Sequence, residues 1–250
     1  MTNEDDTNSE PSHSRQVRME LEKAKDIALN KIPAEISVAH NAVAVYVAIS
    51  ENGDNLNASR FRQTMGAFQQ HALAVFVLSI CKIYEKHNQR PNYSIPTAIE
   101  LLKNNAQGLA AGMQNPWVLT NFIRSKINSS FSECDEARIP TFLLDFFSEH
   151  CPQTPPRSGY NRDAVLDALK VLRDKRVAHH EATDISSMTR TKLDGALDLL
   201  AFAQSFVYLV GYGLFGFAQQ GWTCANEFDP RKSWLWPEVN DLIRTLAPAS

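Results

Sequence analysis

Apolar residues recur along this chain at helical rather than alternating spacing, and the pattern predicts helices from end to end. From Arg15 to Ile32 charged and apolar positions mix as on a surface helix, which Pro33 is expected to interrupt. Residues 34–50, AEISVAHNAVAVYVAIS, hold enough β-branched residues for a strand, but their length favours a buried helix. A loop is expected over ENGDNLNASR, with Asn-Gly-Asp as its turn signal. One long helix should then run from Phe61 to Lys86. After the connector NQRPNYS, Ser94 can cap a short helix over IPTAIELLKNN, with Pro96 in its first turn.

Residues 105–116 read as a loop, and two helical segments follow near 117–131 and 140–149. The proline cluster CPQTPPRSG marks a second break. Beyond it the pattern predicts a helix from about Arg162 to His180, a long one over about 189–219, and a short one near Trp236–Thr245. No alternating strand pair and no internal repeat is found. The expected fold class is all-α: a helical bundle with peripheral helices, in a single domain over residues 15–250.

One segment has competing readings. LLAFAQSFVYLVGYGLFGFA, residues 199–218, carries no charge over a length that can span a bilayer. Gln204 and Ser205 inside it, and the lack of a flanking cationic cluster, favour a central bundle helix, so no membrane partner is expected. The same stretch matches G-x-G-x-x-G at Gly211, Gly213 and Gly216. A dinucleotide fingerprint needs that motif between a strand and a helix. Inside a helical run, close packing or a bend explains the glycines better.

Composition narrows the function class. The 250 residues are 44% hydrophobic and 21% charged, ordinary for a soluble domain, with a formal charge of -3. Any binding of nucleic acid must therefore come from a local cationic patch. Cys81, Cys134, Cys151 and Cys224 lie far apart with no C-x-x-C pair, which argues against a zinc site or disulfide framework and fits a reducing cytosol. Neither a metal nor another cofactor is expected. The opening MTNEDDTNSEPSHS is polar and acidic, unlike a signal or transit peptide, and a disordered tail is expected over residues 1–14.

The densest chemistry lies in VLRDKRVAHHE, residues 171–181. On a helical wheel Val165, Leu166, Leu169 and Leu172 share a stripe. With Arg173 at zero, Leu169 falls at about 320°, Arg176 at about 300° and His180 at about 340°, whereas Lys175 falls at about 200°. Arg173, Arg176 and His180 thus continue the core-facing stripe. A helix C-terminus favours cations, but inward cations need a partner: a carboxylate, a second protomer or a bound phosphate.

RDKRVAHH resembles the R-x(4–6)-H signature of the HEPN superfamily, with Arg173, the polar Asp174 and then His179. The wording is similar to the AbiU branch of abortive-infection proteins, as is HALAVFVLSICKIYEKHNQRPNYSIPTAIELLK. The resemblance covers residues 61–104 and 162–182. It implies a dimeric helical bundle whose motifs share one cleft and, in active members, a metal-independent endoribonuclease in the cytoplasm. It also implies an RNA substrate and an antitoxin or defence-system partner. Arg173 and His179 would be the catalytic pair, with His180 and Asp174 as further catalytic candidates and Arg176 and Lys175 as substrate-binding ones. Such chemistry suits these residue types: imidazole moves protons near neutral pH, and guanidinium grips phosphate in two places.

Regular helix geometry sets Arg173 and His179 about 240° apart and brings His180 nearly into line with Arg173. Three resolutions stay open: a distortion near Ala178, a functional His180, or convergence across a dimer. Two non-enzymatic alternatives also stand. One is a helical module that binds RNA, nucleotide or protein without cleavage; the other is a scaffold whose cations pair internally with Glu181, Asp174 or Asp184. His40 and His71 read as core or interface histidines, His150 beside Cys151 lacks the groups that activate a thiol, and the DEA run at 135–137 reads as loop charge. Trp234 and Trp236 mark an amphipathic tail that docks on the bundle or extends a dimer interface.

Overall fold

The computed structural model describes residues 12–86, 93–179, 190–217 and 228–247, and these are helical with no strand among them. The all-α expectation is met. Helix α1 (Ser12–Asp26) begins inside the expected tail, and residues 1–11 lie outside the described set.

Pro33 does not interrupt the first helix. A proline has no N–H for the carbonyl of Leu29, and a π-helical turn, Ile27–Lys31, carries the chain past that gap. Ile32 N–H bonds to the Ile27 carbonyl, and α2 (Ile32–Glu51) continues directly with Pro33 in its first turn. Two segments expected as loops also contain short helices, α3 (Gly53–Ala58) and α6 (Ala106–Gly112). Each is pinned by one buried leucine, Leu56 or Leu109.

The long helix α4 (Arg62–Tyr84) packs along α2 in the most extensive helix pair of the fold. Around this pair lie α5 (Ile95–Lys103), α7 (Pro116–Lys126), α8 (Ile139–His150), α9 (Asn161–His179) and α10 (Arg190–Tyr208). Phe76, Phe147 and Phe206 are fully buried at the centre, with Phe147 meeting Phe206 edge-on at 5.1 Å. A smaller cluster of Ala48, Ile49, Leu56, Met65 and Ile243 seats the last helix, α11 (Leu235–Leu246), against α2. Trp236 packs on that cluster while Trp234 stays exposed, so the C-terminal helix docks on the bundle.

The three glycines of GYGLFG have structural roles. Helix α10 passes into a second π turn, Leu209–Leu214, where a Cβ on Gly211 would meet Leu29 at 3.1 Å and one on Gly213 would collide with Leu119. Gly216 takes φ +72°, and Gly216 N–H bonds to the Tyr212 carbonyl while Phe217 N–H bonds to the Gly211 carbonyl. The Gly216 bond closes an αL cap, which needs the left-handed conformation glycine supplies, and the Phe217 bond closes a wider turn around it.

Three helical stretches, Ser14–Glu51, Arg62–Tyr84 and Lys192–Leu214, are long and apolar enough to cross a bilayer by length and composition. Within the bundle 50%, 44% and 61% of their apolar windows are buried against other helices.

Candidate functional site

Helix α9 carries the RDKRVAHH motif as far as His179, and three contacts hold the helix in place. Leu166 and Leu169 bury its inner face. At its start the buried Asp163 carboxylate accepts from Arg157 Nε at 2.7 Å, Arg157 Nη2 at 3.0 Å, and the backbone N–H groups of Arg157 and Gln153 at 2.9 and 3.1 Å. Arg157 in turn donates to the carbonyls of Glu149 and Cys151, so the proline-rich loop is tied to α8 and α9 together. Burial alone would raise the Asp163 pKa, but these donors outweigh it and hold the carboxyl below its usual value. On the α10 side, Arg162 forms a two-pronged bond to Asp198 at 2.6 and 2.9 Å, and Gly195 lets the two backbones approach beside Val165.

Eleven residues along from Arg162, Arg173 turns toward the C-terminal end of α4. Its Nη1 donates to Glu85 Oε2 and its Nε to Asp174 Oδ1, both at 2.8 Å. The Arg173 and Glu85 side chains are each about one-fifth exposed. Burial works against the guanidinium charge, but the bonds to Asp174 and Glu85 outweigh it and raise the Arg173 pKa further. This cation is thus on the inward stripe, as its periodicity predicts, and a carboxylate is its partner. Asp174 orients it from the neighbouring position. Burial pushes the nearby Cys81 thiol up to about 11, against the pull of Arg173.

One turn before Arg173, Lys170 enters a cleft of about 500 Å³. The cleft lies between the end of α4, α5, the segment after α8, and α9. Its lining includes three lysines, Lys86, Lys103 and Lys170, and one glutamate, Glu100. Lys86 pairs with Glu100 and Lys103 with Asp145, each at 2.7 Å, whereas Lys170 Nζ donates to the Thr154 hydroxyl at 2.8 Å. Glu85, Lys86, Lys103 and Lys170 are absent from the sequence-derived candidates, although the first three lie in the segment 61–104 quoted for the resemblance. The two resembling segments pack together where α4 meets α9.

The other motif residues are placed only in part. Lys175, Arg176 and His179 occupy the last turns of α9, and their side chains lie outside the described set; His180 lies outside the described residues altogether. The α-helix runs unbroken through His179, so a break near Ala178 does not bring Arg173 and His179 onto one face within it.

Of the remaining histidines, His40 and His150 make structural contacts. His40 approaches the Asp229 carbonyl at 3.3 Å and meets Phe228 edge-on, and burial lowers its pKa. His71 is exposed beside an apolar groove rather than in the core. His150 Nδ1 bonds to the Phe146 carbonyl at 2.9 Å, and burial pushes the Cys151 thiol up to about 12, the opposite of the lowering that activates a nucleophilic cysteine. No group of three His, Cys, Asp or Glu side chains at ligand spacing occurs among the described residues. Comparison with protein-family models, curated proteins and solved structures returned no match to this chain.

Proposed function

We propose that this chain is a HEPN-like, metal-independent endoribonuclease of the toxin or phage-defence type, acting in the cytoplasm as a homodimer with an antitoxin or defence-system partner. The observation that carries the reading is the setting of Arg173. It is held fully charged at 2.8 Å from Glu85, one turn from a three-lysine cleft, on the helix that leads into the two histidines. A fixed guanidinium beside a cationic groove suits a phosphodiester, whose charge grows as the pentacoordinate state forms.

In the reaction, a neutral imidazole from His179 or His180 removes the ribose 2′-hydroxyl proton. The 2′-oxygen bonds to phosphorus, the bond to the 5′-oxygen breaks, and a protonated imidazole returns a proton to that leaving oxygen. Arg173, oriented by Glu85 and Asp174, offsets the developing charge. Lys170, Lys103 and Lys86 hold the flanking phosphates, with Lys175 and Arg176 as further contacts. The second histidine, or the partner protomer's copy, supplies the acid.

The test is cleavage of single-stranded RNA and tRNA in chelator, comparing wild type with Arg173→Ala, His179→Ala and His180→Ala. Loss of cleavage in Arg173→Ala and in one histidine variant is the expected result. Intact substrates with the wild-type protein, or undiminished cutting by the Arg173→Ala, His179→Ala double variant, would reject the proposal. A second reading draws on the double pairing of Arg173: a non-catalytic scaffold in which Glu85 and Asp174 neutralise it. That reading expects Arg173→Ala to lower stability and leave RNA binding unchanged.

A further inference from the structure

A second cavity, of about 670 Å³, opens on the opposite end of α9 between α7, α8 and α10. Aromatic side chains contribute to its lining, with Trp117 exposed and Phe147 and Phe202 buried behind it. Trp117 stands 61% exposed at the mouth, and behind it Phe122 and Phe147 lie parallel with centroids 6.2 Å apart. Phe202 carries the Arg162 guanidinium over its ring at 4.8 Å. Polar groups occupy defined places among these rings. Asn121, one turn after Trp117 on the same face of α7, brings a carboxamide with both donors and an acceptor. Asp198, engaged by Arg162 through both oxygens, remains 43% exposed and keeps lone pairs for another donor. Lys126 adds a cation at the rim.

No simpler ligand uses all of these groups. A hydrocarbon would strip water from Asn121, Asp198 and Lys126 and return no hydrogen bond. A bare anion would face Asp198 and gain nothing from the rings. A planar heterocycle with a hydrogen-bonding edge, joined to a phosphate, satisfies both sets: its face stacks on the rings, its edge meets the carboxamide and carboxylate, and its phosphate meets the cation. We infer that this cavity is a nucleobase-binding site. Trp117 is the stacking platform, Asn121 and Asp198 read the edge, and Lys126 contacts phosphate.

The site also lies in line with the motif. Arg162 and Arg173 are eleven residues apart on α9, which places them about 20° apart around the helix and about 16 Å apart along it. A base in this cavity can therefore belong to a strand whose scissile phosphate sits at Arg173. That assignment to a strand rests on the endoribonuclease reading, whereas nucleobase binding itself does not.

The experiment is a calorimetric titration of the full chain with the four nucleoside monophosphates and with a single-stranded hexaribonucleotide, using wild type, Trp117→Ala, Trp117→Phe and Arg173→Ala. Trp117 is solvent-facing, so its removal leaves the core filled, and circular dichroism checks this. Saturable binding that weakens by about tenfold in Trp117→Ala and by no more than about threefold in Trp117→Phe is the expected result. Tight binding of monophosphates assigns the site to free nucleotide; much tighter binding of the hexamer assigns it to an RNA strand. Arg173→Ala should abolish cleavage and leave monophosphate binding intact, so this inference survives if the wild-type protein binds but does not cut. It is overturned if neither ligand binds saturably, if Trp117→Ala binds as wild type does, or if binding is lost only in Arg173→Ala.

Discussion

Arg173 and Glu85, 88 residues apart in sequence, meet at 2.8 Å where α4 ends against α9. Each is about one-fifth exposed, so the pair is screened less than a surface salt bridge and its loss leaves a partly buried charge. Glu85→Ala should destabilise the protein by about 1–3 kcal/mol, while Glu85→Gln, which keeps an acceptor, should cost less. Denaturant unfolding checks both. If Arg173 binds the scissile phosphate, Glu85→Ala should also reduce the turnover of any RNA cleavage more than it reduces RNA affinity, because Glu85 acts by positioning Arg173. Equal losses in both would assign Glu85 a binding role instead.

Lys170 differs from the other two cleft lysines because its ammonium meets a hydroxyl rather than a carboxylate. Removing it therefore deletes a charge without releasing a partner carboxylate. Lys170→Gln should weaken RNA binding evenly across sequences and lower the slope of log affinity against log salt by about 0.7, one phosphate contact for a single strand. Binding measured at several salt concentrations decides this, and an unchanged slope would place the strand elsewhere.

Much of this arrangement was legible in the chain, and the rest depends on contacts that periodicity does not encode. The stripe through Leu166 and Leu169 placed Arg173 inward, because helical spacing fixes which residues share a face. The identity of its partner was not legible: Glu85 reaches it only after α4 packs on α9. Gly53 in the Asn-Gly-Asp signal and the stretch 105–116 read as loop, yet both contain short helices held by Leu56 and Leu109, where tertiary burial outweighs propensity. Pro33 read as a break because its missing N–H ends an α register, and the π turn before it could not be foreseen. Asp163 carried no local signal either, since its four donors come from a loop that folds back on the helix start.

Gly195 sets the distance between α9 and α10. A Cβ there would come within 2.6 Å of Val165 Cγ2, and valine, stiff at χ1, cannot swing that methyl away cheaply. Alanine would gain about 1 kcal/mol in helix propensity, but overpacking costs about 1–3 kcal/mol, so the clash should win. Gly195→Ala is expected to lower stability, and adding Val165→Ala should recover part of the loss. Thermal unfolding of the single and double variants tests the coupling. A stabilised Gly195→Ala protein would mean that the helices separate without cost.

Asp163 should make stability fall with acid. Its carboxyl titrates below the ordinary value of 3.8 in the folded protein, so as pH drops the unfolded chain takes up the proton first. The contribution of the carboxylate is therefore complete above that value and is lost as pH falls through the lower folded one. Asp163→Asn removes the charge that Arg157 and two backbone N–H groups address, and it should cost about 2–4 kcal/mol at neutral pH. Because the wild-type carboxyl becomes neutral in acid as well, the gap between the two proteins should narrow below pH 3.8. Urea midpoints at neutral pH and near pH 3 measure that gap. A constant difference across the range would mean that shape, not charge, ties the loop to the start of α9.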